Sequence, residues 1–254
     1  MQTERQFLEQ YDASAYPRPS VTSDILIFTT IKNNLAVLLI RRGGHPFKDK
    51  LAIPGGFLMA GKESPEEAAM RELHEETGIR GIFMQQLATF GDPERDPRTH
   101  VISVVFMCHV PYSKLKWDMC HGAKAGDDAA EMELFQIRKT SGEWCLMNEY
   151  GTKFITRFGD LAFDHGKIIE TGIRRMQGRL EYTNDFFEFI DDSQNFTMKT
   201  LQNVHEAILM KELDSSNFRK SIQRRFIKTG IMQKTEHTGK EQTYEIIPQE
   251  VKTT

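Results

Sequence analysis

The chain has 254 residues, of which 39% are hydrophobic and 27% charged, with a formal net charge of -3. That length suits one large domain or two ordinary ones, and the composition supplies a core, which argues against wholesale disorder. The longest mainly apolar run, Val101 to Val110, is about half of the roughly 20 residues that a membrane helix needs. Three cysteines form no CxxC pair and cannot all pair internally, so a secreted disulfide scaffold is excluded. The opening Met1-Gln-Thr-Glu-Arg-Gln is charged and lacks the apolar core of a signal peptide, so the expectation is a reduced, cytoplasmic protein with no membrane contact. With a slightly negative net charge, nucleic-acid binding requires a local basic face.

Along the chain, Val21 to Thr30 and Leu35 to Ile40 are rich in Val, Ile and Leu and read as strands joined by a turn at Asn33-Asn34. Arg41 to Pro54 is loop-like. Ser64, Pro65 and Glu67 then make an N-cap, a first-turn proline and an S-x-x-E capping box, and Gly78 is a stop, so a helix spans Pro65 to Thr77. Phe83 to Phe90, Val101 to Val110 and Glu131 to Ile137 are further strands, which suggests an α/β sandwich over roughly the first 160 residues. Ile168, Ile169, Ile173 and Met176 form a helical stripe with Gly172 as an exception on its face. Leu201, Val204, Ile208 and Leu209 mark the next helix after Thr197. Phe218, Ile222 and Phe226 mark a second, expected to run from Ser215 until Gly230 stops it. Ile231-Met232 and Tyr244 to Ile247 read as two short strands around a turn at Thr238-Gly239-Lys240. Helix, helix and ribbon outline a winged helix-turn-helix.

The chemistry sits on the helix from Pro65. Glu72, Glu75 and Glu76 stand at i, i+3 and i+4 and share one face, where like charges repel. Three close carboxylates suit a hard divalent cation, Mg²⁺ or Mn²⁺. Arg71 beside them can orient a carboxylate and offset part of the charge. Taken alone, an acid-rich helix is also what a solvated face looks like. After the helix, Phe90 to His100 carries two prolines and three acids. There Arg95 and Arg98 either fork onto phosphate or close a tight turn through internal Asp–Arg pairs. Arg42 and His45, just before the Pro-Gly-Gly loop, are placed to line a pocket.

The stretch Pro54 to Ile79 resembles the Nudix box. From Glu63 onward Glu63, Arg71, Glu72, Leu73, Glu75, Glu76, Gly78 and Ile79 all fit. One departure is that six residues, not five, separate Gly56 from Glu63. The resemblance implies an α/β/α sandwich that hydrolyses a nucleoside diphosphate derivative, with Glu72, Glu75 and Glu76 as metal ligands and Arg71 and Glu63 bracing the helix. Metals so held would lower the pKa of an attacking water. It also implies a catalytic part for Arg71, Glu72, Glu75 and Glu76; substrate contacts are expected from Gly56 in the loop, from Arg42 by its position, and from Arg95 and Arg98 as phosphate forks. A general base falls among the glutamates or outside the box, at Glu94, Asp127 or Asp128. The segment from Phe90 to His100 resembles that of Nudix ADP-ribose pyrophosphatases, with Thr99 in place of a glycine. Tyr16 to Phe28, Arg41 to Phe57, Leu161 to Ile169 and Leu180 to Thr183 look like the Nudix-related regulators of NAD metabolism, the NrtR type. That likeness implies three parts: residues 1–165 as the Nudix domain, 166–184 as a linker helix and 185–254 as a winged helix.

Two functions follow as expectations. The leading one is metal-dependent cleavage of ADP-ribose to AMP and ribose 5-phosphate. The alternative is an ADP-ribose-responsive homodimer that binds operator DNA through Arg219, Lys220, Arg224, Arg225 and Lys228, on a helix whose basic face also suits packing or dimerisation.

Overall fold

The computed structural model describes residues 2–121, 131–222, 225–235 and 239–246. A short capped helix, α1 (Glu4–Gln10), precedes the sheet. The strands are β1 (Ser20–Ile31), β2 (Asn34–Arg41), β3 (Leu51–Ala52), β4 (Gly55–Phe57), β5 (Gln85–Phe90), β6 (Val101–His109), β7 (Met132–Thr140), β8 (Glu143–Met147) and β9 (Phe154–Arg157). They form one sheet in the order β5-β6-β1-β2-β7-β8-β9, with β3 on β2 and β4 on β1. The β1–β6 pair is parallel and runs from Ser20 opposite Val101 to Phe28 opposite His109.

β1 is buried nearly throughout because both of its faces are covered, and its centre, Ile25 to Phe28, is wholly apolar. Ile25 and Ile27 face one way, onto α2 (Pro65–Thr77) and α3 (Tyr112–His121) through Ala69, Leu73 and Leu115. Leu26 and Phe28 face the other way, onto Ile168, Ile169 and Ile173 of α4 (His165–Arg179). The helix expected as a linker is therefore the third layer of the sandwich.

Beyond α4, a short 3-10 segment at Asp185–Phe189 leads to β10 (Phe196–Thr197), α5 (Met198–Leu209) and α6 (Ser215–Ile222). β11 (Phe226–Thr235) and β12 (Gly239–Ile246) follow, and the sheet order is β10-β12-β11. The second helix is thus shorter than its periodicity suggests. Phe226 does not continue it. It opens β11, paired with Ile246, and packs edge-on against Phe187 at 5.6 Å and Phe196 at 5.3 Å. Three aromatic rings in contact decide that position over its i+4 spacing from Ile222. Among the described residues, no helix is long and apolar enough to cross a membrane.

Candidate functional site

α2 starts and stops as its sequence dictates. Ser64 accepts from the Glu67 amide while the Glu67 side chain accepts from the Ser64 amide, and Gly78 caps the far end with φ 71°. β4 lies antiparallel to β1, with Gly55 opposite Asp24 and Phe57 opposite Thr22, which sets the Pro-Gly-Gly loop between α2 and the sheet. A side chain at Gly56 would collide with the Glu72 carboxylate. Gly55 donates its amide to Glu76 Oε2 at 2.8 Å.

The extra residue before Glu63 is absorbed locally. The Met59 amide donates to Glu63 Oε1 at 2.9 Å, and Arg71 grips the same carboxylate from Nε at 3.0 Å and Nη2 at 2.7 Å. Those bonds to Arg71 hold Glu63 down to about pKa 2. Arg71 Nη1 also donates to Glu72 at 2.7 Å and to Glu75 at 2.9 Å. Glu76 turns the other way, toward the sheet. Burial first, then the charges of Glu72 and Asp24, push its pKa up to about 8 against the pull of the Gly55 amide. Burial likewise lifts Asp24 to about 6, although Ser103 donates to it and Arg95 lies 3.9 Å away.

Glu72, Glu75 and Glu76 therefore share a helix face, but Arg71 draws two of them aside, and no group of three potential ligands is gathered among the described residues. The donor chemistry nevertheless fits a hard cation. All the donors are carboxylate oxygens, and burial, with the neighbouring negative charges second, raises the pKa of two of the local carboxyls, which a divalent charge would reverse. Asp24 is the residue that sequence reasoning missed. Its only signal was an acid directly before the apolar run Ile25 to Phe28.

Gly56, Arg42, Arg95 and Arg98, the four residues expected at a substrate, all line one cleft of about 230 Å³ together with Asp24, Glu76, Phe57, Phe163 and His165. Their roles within it differ. Arg95 is no free phosphate fork, because it is buried and donates to Asp164 from Nη2 at 2.7 Å and from Nε at 3.2 Å. It braces the start of α4 against the loop. Arg98 forms the internal pair with Asp96, at 3.0 and 2.7 Å, yet its guanidinium is half-exposed and lies over Phe57 and Phe163. Arg42 lines the cleft, donates through Nε to the Pro46 carbonyl and lies over the Phe163 ring. His165 accepts the Ile53 amide at Nδ1, and burial drives its pKa down to about 3, so it is a neutral acceptor. Glu94 lines a neighbouring depression instead, His45 is exposed, and Asp127 and Asp128 lie outside the described residues.

In the C-terminal unit, Arg219 and Lys220 are exposed on α6, and Arg224 lies outside the described residues. Lys228 sits in β11, not on the helix, and its side chain also lies outside them. Arg225 is a correction. It donates to the carbonyls of Leu180 at 3.4 Å and Thr183 at 2.6 Å, bonds the Asn184 side chain, and stacks on Phe186. Those partners hold it against the end of α4, off the helix on which it was expected.

A sandwich with this acid-bearing helix, followed by two helices and a three-stranded ribbon, defines a two-part protein of Nudix-like and winged-helix type. The NUDIX domain profile matches residues 21–152, and the profile of the NrtR DNA-binding winged helix domain matches residues 192–246. The chain belongs to the Nudix family, in the NrtR type that joins this domain to a winged helix. It is 30% identical over 93% of its length to an ADPR responsive transcriptional repressor of Acinetobacter baylyi, covering 83% of that protein. It is 37% identical over 64% of its length to an ADP-ribose pyrophosphatase of Methanocaldococcus jannaschii, covering 78% of it. The fold resembles Shewanella oneidensis NrtR complexed with a 27mer DNA, with TM-score 0.65, 27% identity and coverage of 90% and 94% of the two chains.

Proposed function

We propose that this chain is a DNA-binding regulator whose Nudix cleft takes ADP-ribose as effector and whose winged helix contacts operator DNA as a homodimer. The observation that carries this reading is a single apolar core. It runs from Leu26 and Phe28 of the sheet through Ile173 and Met176 of α4 to Phe187, Phe196, Leu201 and Phe226 of the winged helix. A ligand that shifts α4 thereby acts on packing shared with the DNA-reading unit. Support also comes from the repressor relative, which spans both units. Paired helix-turn-helix units read paired half-sites, which favours the dimer.

Hydrolysis of ADP-ribose to AMP and ribose 5-phosphate is the second reading. It is favoured by the unbroken set from Glu63 to Ile79 and by the pyrophosphatase relative. In that reading Glu72, Glu75 and Glu76 would hold Mg²⁺ or Mn²⁺. The metal would supply charge neutralisation on the diphosphate and an activated water. Glu63 and the Met59 amide keep Arg71 in place, and Arg42 and Arg98 orient the phosphates by charge-assisted bonds.

One experiment separates the two readings. Full-length protein is titrated against its own upstream DNA in a gel shift, with and without ADP-ribose, while AMP release is followed with Mg²⁺. Regulation predicts a shift that ADP-ribose dissolves and little or no AMP. No shift at low salt beside brisk AMP release would reverse the assignment.

A further inference from the structure

The cleft of about 230 Å³ falls below the roughly 300–1,000 Å³ of pockets that enclose drug-sized ligands. A second depression of about 450 Å³ opens beside it, between Phe47 and Lys167. The two share only Arg95 and Phe163 as lining residues. Since Arg95 is committed to Asp164, Phe163 is the side chain across which a ligand filling both would lie.

Phe163 is also held in an unusual way. Its φ is 51°, the left-handed region that bulky residues avoid. The neighbours that fix it there are Asp164, clamped by Arg95, and His165, bonded to the Ile53 amide. Phe47 packs edge-on to its ring at 4.8 Å. Over that ring lie two guanidiniums, Arg42 at 4.9 Å and Arg98 at 5.8 Å from the centroid. Planar cations on an aromatic ring occupy the position a planar base would take, and every base offers a π-face. Guanidiniums make stronger bonds to phosphate than to a ring.

We propose that Phe163 is the stacking platform for the base of a nucleoside diphosphate sugar, with Arg42 and Arg98 leaving its ring to take the diphosphate. This rests on the effector reading above, and it adds the residue that distinguishes a nucleotide from a bare diphosphate.

The test is calorimetric titration of the full-length chain with ADP-ribose and with pyrophosphate, in chelator so that no turnover intervenes. Phe163→Leu should weaken ADP-ribose by about 5- to 150-fold, the loss expected for one base–aromatic stack, and leave pyrophosphate within about twofold. Phe163→Trp should keep ADP-ribose binding, and its emission should quench with ADP-ribose but not with pyrophosphate, which also covers a leucine variant that fails to fold. If Phe163→Leu binds ADP-ribose like the wild type, or loses both ligands in proportion, the platform is wrong and the effector reading stands. A wild-type chain that binds pyrophosphate but no ADP-ribose overturns both.

Discussion

Gly172 stands on the buried face of α4, where the stripe of Ile168, Ile169, Ile173 and Met176 leads one to expect another large side chain. The structure gives the reason for the exception. A Cβ there would lie 2.5 Å from Leu26 Cδ2 and 2.9 Å from Phe28 Cε2, so the helix rests directly on β1. Forcing even one methyl into such a contact typically costs about 1–3 kcal/mol. Gly172→Ala should therefore lower the melting temperature by several degrees, and an unchanged melt would mean that α4 can lift from the sheet. His205 supports a second prediction. Its Nδ1 donates to the Leu201 carbonyl, its Nε2 has no partner among the described residues, and Phe186 and Phe218 enclose the ring at 4.6 and 5.0 Å. Burial drives its pKa down to about 4, helped by the nearby Arg225 charge. The folded value lies below the unfolded one near 6.5, so between these values the unfolded chain binds more protons. The stability is full above about pH 6.5 and is lost as pH falls toward 4, by about 2 kcal/mol at pH 5. His205→Phe should lose less of its melting temperature between pH 7 and pH 5 than the wild type does. His165, depressed in the same direction, contributes equally to both chains and cancels.

At the scale of elements, α2 was legible to the residue, since the cap, the proline and the stop glycine are local signals that nothing distant overrides. The end of α6 was not, because Phe226 is fixed by rings at positions 187 and 196 that no local pattern reports. The site divides in the same way. That Arg95 and Arg98 would sit near the box helix could be read from the loop. That Arg95 would be consumed by Asp164, 69 positions along the chain, could not. This difference has a measurable consequence for DNA binding. Arg219 is exposed on α6, whereas Arg225 grips the end of α4. Arg219→Ala should weaken binding and reduce the log-log salt slope by about 0.9, the counterions that one neutralised phosphate releases. Arg225→Ala should weaken binding with the slope unchanged, because it loosens the seat of the unit without removing a phosphate contact. Equal slopes in the two variants would return Arg225 to the DNA face.

For the whole molecule, the decisive feature is that the apolar core does not stop where the Nudix sandwich ends. Met176 and Leu180 of the α4 region, Phe186, Phe187, Phe189 and Ile190, and the faces of α5 and α6 belong to the same buried cluster as β1 and β2. Polar ties cross with it: Gln177 donates to the Ile208 carbonyl at 2.9 Å, and His109 at the end of β6 meets Glu188 at 3.1 Å. Two units joined by a thin interface melt separately, whereas units that share a core lose each other's packing when either opens. The full chain should thus unfold in one calorimetric transition, with calorimetric and van't Hoff enthalpies equal. A ligand that binds only the folded cleft adds RT ln(1 + [L]/Kd), about 2.7 kcal/mol at a hundredfold excess over Kd. In a single cooperative unit that gain reaches residues far from the ligand. Saturating ADP-ribose should slow amide exchange in α5 as well as around the cleft. Two resolved transitions, with only the one assigned to the sandwich raised by ADP-ribose, would show that the continuous core does not couple the cleft to the winged helix.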